Sequence, residues 1–405
     1  MITPTQNNKG SIYILALSLA VVLTALVLGV SYQLLQFRRA ARSNVAADQA
    51  CVYAELGLRH ALHFTRAAPN WRSVLENGNW LEGITVDQAA YSVDGIDLLD
   101  GDLADNPQNP VLLTCTATIG DLSRTVQVQA QNPPSYLLRY ALAAGGNISV
   151  NNHVRINGDV TSNGNFSKSG ADTWVFGNVQ AAGTIYETTN ISGSILPHSA
   201  PKDFPDNQSI LNYYSSRATP IPHQGKIEKI LLSPTSNPYG PVNADGLYII
   251  NCANNKIELQ NCRIVGTLVL IAPKSDSVIQ AGLNWQPARP DYPALVTNGL
   301  ITIKPSKNLS EHALGNVDLS LPGESGYGTT TDIFPNRIQG LIYSSATLTL
   351  DHDCTIDGMV MAAGDLILKD YASCNRNPDI LLNPPQCFQE TWLMPVSGTW
   401  QRIIP

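Results

Sequence analysis

The sequence predicts a mainly β fold with three parts in order: an N-terminal transmembrane and stalk α-helix, a small α+β segment, and a parallel β-helix, or β-solenoid. Three observations predict it. An uncharged apolar run lies near the N-terminus, a stretch of period-two alternation follows it, and the C-terminal two-thirds repeats itself at a spacing of about 18–19 residues. A β-sandwich head is the alternative architecture, because it also has short strands separated by turn signals.

The composition supports a β-rich chain and excludes several classes of function. Of the 405 residues only 14% are charged, the net charge is −7, and there are 30 glycines and 26 prolines. Glycine and proline are weak helix formers, which disfavours a mostly helical enzyme. The acidic balance provides no basic face to neutralise phosphates, so we expect no nucleic-acid partner. The hydrophobic fraction of 43% argues against long disorder.

One apolar segment predicts a membrane span. No charged residue occurs from residue 10 to residue 37, between Lys9 and Arg38. A bilayer core of about 30 Å requires about 20 apolar residues in a helix, so this run is long enough to cross it. A cleaved signal peptide has a shorter apolar core of roughly 7–15 residues, which favours a single uncleaved span.

The charges beside the span favour one orientation. Lys9 precedes the span, whereas three arginines follow it: Arg38, Arg39 and Arg42. Under the positive-inside rule alone, this excess places the C-terminal bulk of the chain in the cytoplasm.

The residues at the start of the span favour the opposite orientation. Lys9-Gly10-Ser11, directly before the apolar helix, resembles the site at which prepilin peptidase cuts type IV pilin-like proteins after the glycine. The resemblance implies processing between Gly10 and Ser11, a C-terminal bulk outside the inner membrane, and assembly with other pilin-like subunits through the helix. Major pilins carry glutamate as the fifth residue after the cut, and here that residue is Leu15.

A second motif supports the same resemblance. The segment 53–58, Tyr-Ala-Glu-Leu-Gly-Leu, resembles the A-E-A-G-L turn of minor pilins and of the tip-type pseudopilin of type II secretion. Minor and tip-type members also commonly lack the glutamate that Leu15 replaces. The resemblance covers roughly residues 5–65.

The chain divides at proline-containing boundaries. Pro69 ends the long helix, since proline is costly in a helix interior, and Asn132-Pro133-Pro134 ends the segment of alternating strands. Alternation at 111–119 and 125–130 predicts a hairpin there. Four regions follow in order: a leader at 1–10, the transmembrane and stalk helix at 11–66, a small α+β pilin-like domain at 67–134, and the β-solenoid at 135–405 with excursions at 187–245 and 304–336.

Imperfect repeats predict the solenoid. Residues 340–350 match residues 358–368 at an offset of eighteen, and residues 157–166 match residues 176–185 at an offset of nineteen. A fixed period with recurrent glycine is typical of coils that bury their apolar face by stacking on their neighbours. The first excursion is rich in proline, with a short helix expected at 209–216. This region resembles the β-solenoid ectodomains that follow pilin-like N-termini in uncharacterised bacterial envelope proteins, a resemblance that identifies no site residue.

Corners and the tail complete the predicted solenoid. Asn151-Asn152 and Asn254-Asn255 are expected at corners, because asparagine tolerates left-handed backbone and bonds nearby backbone groups. Three aromatic residues of the tail are expected to cap the last coil: Phe388, Trp392 and Trp400.

The sharpest acidic cluster is Asp351, Asp353 and Asp357. Paired carboxylates on one face of a β-helix could carry out glycoside hydrolysis or hold calcium. The other interpretation is a turn between coils, where aspartate bonds its own backbone. Because no second acidic cluster lies one or two periods away, we favour the turn and expect no catalytic residue, no metal, no cofactor and no enzymatic activity.

The seven cysteines lack the spacing of a metal site. Cys252 and Cys262 bracket one segment, and Cys374 and Cys387 bracket another. Either pair forms a disulfide if the compartment is oxidising, and otherwise these residues are buried free thiols. The odd number leaves at least one thiol unpaired.

Three functions remain open from the sequence. The first is a membrane-anchored, pilin-like structural or adhesive protein, such as a minor component of a type IV pilus or of a type II secretion pseudopilus. It would lie in the inner membrane as a single-pass protein with its C-terminal domain in the periplasm, or at the cell surface in an extracellular filament. The second is a membrane-tethered carbohydrate-active β-helix enzyme or carbohydrate-binding protein, with aromatic residues that stack on surface carbohydrate or pack in the fold: Trp174, Tyr186, Trp285, Tyr292 and Tyr327. The third is a signal-anchored scaffold with no connection to pili.

Overall fold

The computed structural model describes residues 9–104, 109–170 and 172–403, with the side chains described from residue 12. The chain forms two compact units, one of Met1–Asn132 with Thr391–Pro405 and one of Pro133–Glu390. The first unit is therefore built from both ends of the chain. The second unit is a single segment inserted between them.

One long helix dominates the first unit. Helix α1 spans Lys9–Ala67, and the single turn α2 spans Trp71–Val74. Alanine and leucine are strong helix formers and are frequent in α1, while Pro69 cannot continue it. In its C-terminal part, residues spaced three and four apart are buried and so share one face: Ala50, Ala54, Leu58 and Ala61.

An antiparallel sheet packs against this buried face. Its strands pair consecutively, and the strand predicted at 111–119 has those bounds in the structure. Buried residues alternate with partly exposed ones along β2 and β3, as a half-buried strand requires. The strands are β1 Gly78–Val86, β2 Ala89–Asp97, β3 Val111–Ile119 and β4 Leu122–Gln131.

The second unit is a parallel β-solenoid, as predicted. Neighbouring coils pair at the predicted offsets, with Ile148 beside Phe166 and Val160 beside Val179. Its first strands are β5 Leu142–Ala144, β6 Ile148–Asn151, β7 Arg155–Asn157, β8 Val160–Ser162, β9 Phe166–Ser169, β10 Trp174–Phe176, β11 Val179–Ala181, β12 Ile185–Tyr186 and β13 Ile195–Leu196.

The chain then leaves the coils and returns to them. Helix α3, Asn207–Arg217, contains the helix predicted at 209–216, and Asp206 caps it by accepting a hydrogen bond from the backbone N–H of Ser209 at 2.8 Å. The strands that follow are β14 Thr219–Pro220, β15 Lys226–Glu228, β16 Leu231–Leu232, β17 Leu247–Asn251, β18 Glu258–Val265, β19 Thr267–Ile271, β20 Val278–Gln286, β21 Leu295–Thr297 and β22 Ile301–Lys307.

Part of the region expected as an excursion, 187–245, thus contributes four strands, β13 to β16, to the solenoid. Its prolines are compatible with this role. Pro220 lies in β14, a two-residue strand that pairs with β17 at the end of the solenoid, where proline is tolerated.

The second excursion begins after β22 and carries its own hairpin. We call residues 308–336 the inserted loop, and its small apolar core contains Leu309, Leu314 and Leu319. The strands of this last part are β23 Leu309–Ser310, β24 Ile333–Phe334, β25 Arg337–Ser344, β26 Leu348–Leu350, β27 Thr355–Ala362, β28 Leu366–Leu368 and β29 Ser373–Arg376.

The order of the coils in space differs from their order in the sequence. Strand β27 pairs with β5, which places Val360 beside Leu142. The chain starts in the middle of the solenoid, winds to the end formed by β13, crosses to the end formed by β14, and winds back to its start. Along one face the order is β14-β17-β19-β21-β25-β27-β5-β8-β11-β13. Every pairing among these strands is parallel, which excludes the alternative β-sandwich.

The interior of the solenoid is a continuous apolar column. Residues that lie in register from coil to coil are almost completely buried: Leu259, Ile279, Ile303, Leu350, Leu368 and Val150. Asparagines lie at the corners, as predicted. Asn152 and Asn254 have φ of +40° and +62°, in the left-handed region. Corner side chains also form ladders, in which Asn147 accepts from the N–H of Asn165 at 2.9 Å.

One face of the solenoid is covered by the chain itself. Ile210 and Tyr214 of α3 are fully buried in a cluster with Tyr343 of β25. Phe388 packs in the same cluster, with its ring centroid 5.2 Å from that of Tyr343. Phe388 therefore covers a face of the solenoid and does not cap its last coil.

The tail forms the last two strands of the first unit. Strands β30 Met394–Pro395 and β31 Gln401–Ile403 pair antiparallel with β4. The expectation that Trp392 and Trp400 cap the solenoid, and that residues 391–405 belong to it, is corrected. The open edge of β4 offers backbone hydrogen bonds to this segment, and the guanidinium of Arg66 lies 4.6 Å from the ring centroid of Trp392.

Candidate functional site

The most unusual surface of the described chain is the N-terminal part of α1. Every large apolar side chain from Ile12 to Phe37 is exposed by half or more. The most apolar window of this helix has a mean hydropathy of 2.6, and no residue in it is buried. Residues 12–37 span about 39 Å as a helix, which exceeds a bilayer core of about 30 Å. By length and composition, this helix is able to cross a membrane.

Polar side chains in this segment bond within their own helix. Ser18 Oγ donates to the carbonyl oxygen of Leu15 at 2.9 Å, and Thr24 Oγ1 donates to that of Ala20 at 2.7 Å. In an apolar environment an unpaired hydroxyl is costly, and a bond to the preceding turn removes that cost. Both hydroxyls are thus already suited to a lipid environment.

The residues of the predicted processing site lie at the start of α1. Gly10 and Ser11 are in its first turn, and most of the expected leader at 1–10 lies outside the described residues. Leu15 is 69% exposed. At the other end of the apolar segment the basic cluster is exposed to solvent: Arg38, Arg39 and Arg42.

The motif at 53–58 mediates contact between α1 and the sheet. Ala54 and Leu58 are buried, and a Cβ added to Gly57 would lie 2.8 Å from Cδ2 of Tyr91. Glycine at this position therefore allows the helix to approach β2 closely. His60 Nδ1 lies 2.9 Å from the hydroxyl of Tyr91, and burial raises the pKa of that hydroxyl.

Glu55 of the same motif has a polar partner from the tail. Its Oε1 lies 3.3 Å from the Nη2 of Arg402 in β31. Both side chains are more than one-third exposed, so the pair contributes little to stability.

The acidic residues of the predicted cluster have separate partners. Asp351 accepts from the N–H of His352 at 2.9 Å and lies 3.0 Å from its Nδ1. Asp357 accepts from Asn375 at 2.8 Å and lies 4.0 Å from Arg337. Asp353 is exposed, and its backbone carbonyl oxygen accepts a hydrogen bond of 3.1 Å from Asn336. Among the described residues, no group of three or more His, Cys, Asp or Glu could hold a metal ion.

The four cysteines considered for disulfides are free thiols in the structure. Cys374 lies in the solenoid interior, whereas Cys387 packs beside the cluster on the covered face, so the two side chains belong to different cores. Cys252 and Cys262 are both buried in the interior without a bond between them. Burial raises the pKa of Cys262 and of Cys374 to about 12.

The aromatic residues considered for carbohydrate contact divide into two groups. Trp285 and Tyr292 are almost completely buried and pack in the fold. The exposed group comprises Trp174, Tyr186 and Tyr327, with exposed fractions of 38%, 55% and 56%. Trp174 is parallel to Phe176, at a centroid distance of 5.8 Å.

One cavity involves residues that the sequence did not single out as a group. It has a volume of about 420 Å³ and lies between the inserted loop and the segment 229–238, which we call the proline loop. Lys229, Asp318 and Tyr327 are among its lining residues. Of these, only Tyr327 was noted in the sequence, because both segments interrupt the repeat and have no period from which to place a side chain.

No family model matches this sequence, and no curated protein matches it. Among solved structures, the chain is similar to the competence-associated pilin ComZ from Thermus thermophilus, with 12% identity and a TM-score of 0.26, over 88% of this chain and 98% of that one. It is also similar to an ice-binding protein from the Antarctic ascomycete Antarctomyces psychrotrophicus, with 12% identity and a TM-score of 0.26, over 60% and 98% of the two chains. A glycosylated ice-binding protein from an Arctic yeast shares 13% identity at a TM-score of 0.29, over 61% and 94%. These low scores carry no functional assignment.

Proposed function

We propose that this chain is a membrane-anchored structural protein of the cell envelope and belongs to the type IV pilin-like class. Its role would be that of a minor component of a type IV pilus or of a type II secretion pseudopilus, or of a surface adhesin. The observation that carries the proposal is α1. Residues 12–37 of this helix are uncharged and exposed, and the helix continues without a break into a C-terminal part that packs on an antiparallel sheet.

The anchoring step follows from the hydrophobic effect. Each large apolar side chain between Ile12 and Phe37 gains about 1.5–3 kcal/mol when it leaves water completely. Membrane lipid, or the apolar helices of other pilin-like subunits, would supply that environment. The uncharged Leu15 removes any cost of burying a carboxylate in such a contact.

Processing would determine the orientation. Cleavage by prepilin peptidase between Gly10 and Ser11 occurs on the cytoplasmic side, so the residues after α1 lie in the periplasm or in an extracellular filament. The basic cluster opposes this orientation under the positive-inside rule. In the proposed arrangement Arg38, Arg39 and Arg42 meet anionic lipid headgroups or carboxylates of partner subunits.

N-terminal sequencing of the membrane-extracted protein tests the proposal. We expect the mature chain to begin at Ser11 and expect Gly10→Val to abolish the cleavage. Gly29→Ala is the matched control, because Gly29 lies within the span and has no other residue within 4 Å of an added Cβ. A wild-type chain with an intact N-terminus would remove the pilin-like assignment and leave a signal-anchored scaffold. Protease digestion of the solenoid in intact spheroplasts tests the side of the membrane.

We also propose that the chain is not an enzyme. The separate partners of Asp351 and Asp357 support this proposal, since glycoside hydrolysis needs two carboxylates facing one bond at roughly 5–9.5 Å. Alanine replacement of Asp351, Asp353 and Asp357 in a polysaccharide-degradation assay tests it. Activity in the wild type that is lost in a folded variant would favour the carbohydrate-active alternative.

A further inference from the structure

The cavity between the inserted loop and the proline loop has the size of a ligand site. Its volume of about 420 Å³ falls within the roughly 300–1,000 Å³ of small-molecule pockets. One wall comes from the inserted loop, and the other comes from the proline loop, in which Leu231 belongs to β16 and pairs with Arg263 of β18. The lining residues are Lys229, Ile230, Leu231, Thr235, Ser236 and Pro238 on one side, and Val317, Asp318, Ser320, Pro322 and Tyr327 on the other.

The wall formed by the inserted loop is held rigidly. Arg263, whose side chain is 6% exposed, donates two hydrogen bonds of 2.6 Å to the carboxylate of Glu324 and one of 3.0 Å to the carbonyl of Leu319. Glu311 is completely buried and accepts from the N–H groups of Leu319 at 2.7 Å and Asp332 at 3.0 Å. Such support fixes a site in advance of binding and lowers the entropic cost of binding.

The cavity offers one unpaired cation. Lys229 is exposed, and among the described residues its ammonium has neither a hydrogen-bond nor an ion-pair partner, while its charge acts on the adjacent carboxylate of Glu228, which itself pairs with Lys226 and Gln260. Lys229 also has a φ of +57°, and its N–H is held by the carbonyl oxygen of Asn261 at 3.1 Å. This left-handed backbone is shared with other corner residues of the solenoid, such as Asn254 and Asn261, and it places Lys229 at a corner beside the cavity.

The anion of the cavity is already engaged. One oxygen of Asp318 accepts from the N–H of Ser320 and the other from the N–H of Gly328, both at 2.9 Å. The carboxylate therefore stabilises the loop. Lys229 remains the charged group that is free to bind a ligand.

The remaining surfaces suit a ring with one apolar face and polar edges. The ring of Tyr327 is more than half exposed, and Pro238 and Pro322 add flat apolar surface beside it. Thr235 is exposed next to these residues, and its hydroxyl shares a hydrogen bond of 3.2 Å with that of Ser233. A saccharide ring has C–H groups on its faces and hydroxyl groups at its edges, and therefore matches this combination.

We propose that this cavity binds a saccharide unit that carries a carboxylate, with Lys229 pairing with the carboxylate and Tyr327 packing against the ring. The ligand class is thus an acidic polysaccharide of the uronic-acid type. Exposure of the site to such a polysaccharide outside the cell rests on the function proposed above, whereas the binding itself does not. Gly10→Val, which would abolish processing, leaves the binding unchanged, so the two proposals fail separately.

Isothermal titration of the full chain in detergent micelles with trigalacturonate tests the inference, with the methyl-esterified trisaccharide as the uncharged control. We expect saturable binding of trigalacturonate that is about tenfold or more weaker for the ester. Lys229→Gln and Tyr327→Ala should each weaken binding of trigalacturonate by a similar factor. Lys274→Gln is the matched control, because Lys274 is exposed and pairs with Asp276 outside the cavity.

Four results would overturn the inference. One is the absence of saturable binding, and another is equal affinity for the acid and its methyl ester. The third is a Lys229→Gln variant that is folded, with an unchanged thermal midpoint, and that binds trigalacturonate as the wild type does. Binding of an acidic peptide in place of trigalacturonate would also exclude the saccharide.

Discussion

Arg263 of β18 and Glu324 of the inserted loop are joined by two hydrogen bonds of 2.6 Å each. The guanidinium is almost completely buried, and it lies 4.1 Å from the ring centroid of Phe334. This pair is a charged link with two hydrogen bonds between the solenoid and the inserted loop. Its removal therefore tests how the wall of the cavity is held.

Glu324→Gln should destabilise the second unit. The substitution leaves a buried guanidinium with a neutral partner, and the cost is about 1–3 kcal/mol, reduced by the partial exposure of Glu324. Urea unfolding at pH 7 measures the change. Asp276→Asn removes an exposed ion pair with Lys274 and should leave stability unaltered. Equal losses in the two variants would contradict the role assigned to Arg263.

The contribution of this pair should depend on pH. The hydrogen bonds from Arg263 hold the pKa of the Glu324 carboxyl below its usual value. A carboxyl with a lower pKa in the folded state stabilises the protein fully above the unfolded value of about 4.3, and this stabilisation is lost as the pH falls through the folded value. The gap in thermal midpoint between wild type and Glu324→Gln should be full at pH 7 and shrink below about pH 4. A gap that stays constant to pH 3 would refute this origin.

Gly57→Ala should destabilise the first unit. The added Cβ meets the Sγ of Cys115 and the ring of Tyr91, so either the helix or the sheet must shift. Overpacking of this kind costs about 1–3 kcal/mol, which exceeds the gain of about 1 kcal/mol in helix propensity. Hydrogen exchange of the peptide that contains the buried Trp71, followed by mass spectrometry, reports on this core. Gly29→Ala is the control and should show no loss, because its Cβ meets nothing.

Leu393→Ala should show that the tail is part of the first unit. Leu393 is 1% exposed and packs in the same core as Trp71. Truncation of a buried leucine costs about 2–5 kcal/mol. Ile403→Ala, at a position that is 39% exposed, should cost much less. If both substitutions were neutral by chemical denaturation, the tail would not contribute to the stability of this core.

The thiols should react slowly while the protein is folded. Burial raises the pKa of Cys252 and Cys387 to about 11 and that of Cys262 and Cys374 to about 12, so few thiolates exist at pH 8. Alkylation at pH 8 followed by mass spectrometry should label all seven cysteines rapidly in denaturant and only slowly in the folded protein. Cys387, which is partly exposed, should react first among these four in the folded protein. Failure to label Cys252 and Cys262 in denaturant without a reductant would reveal a disulfide.

The repeat predicted the stacking of coils because residues that pair in neighbouring coils face the same surroundings and are therefore of similar type. Residues offset by eighteen in the sequence are hydrogen-bonded neighbours, and Gly340 pairs with Gly358. A Cβ at Gly358 would collide with the backbone of Gly340, and Gly340 itself has a φ of +90°, which favours glycine, so glycine occurs at both positions. The anchoring helix was predictable for a similar reason, since its lack of charge is visible in the sequence alone.

The order of the coils could not be predicted in this way. Leu142 lies beside Val360, yet nothing in their sequence distance of 218 residues marks them as neighbours. Every coil edge offers the same row of backbone donors and acceptors. The sequence pattern is therefore compatible with several orders of the coils along the solenoid. The sequence also did not show which unit the tail joins. Leu393 and Trp392 are apolar residues that suit the core of the first unit or that of the solenoid.

The cavity residues were missed for a related reason. Lys229 and Asp318 lie in segments without a period, 89 positions apart in the sequence, and their meeting depends on how Arg263 holds the inserted loop. Tyr327 was expected to be an exposed aromatic residue and is exposed, but its place beside Lys229 was not visible, and Trp285 and Tyr292, which were also expected at the surface, are buried.

The pairing of β31 with β4 has a consequence for the timing of folding. The edge strand β4 is synthesised before the second unit begins, but its partner β31 is synthesised only after the second unit. The first unit therefore cannot complete its sheet until the whole solenoid has been translated. Until residues 393–403 have been translated, β4 keeps an open edge and the core of the first unit lacks Leu393. A truncated chain therefore exposes a strand edge that the full chain covers.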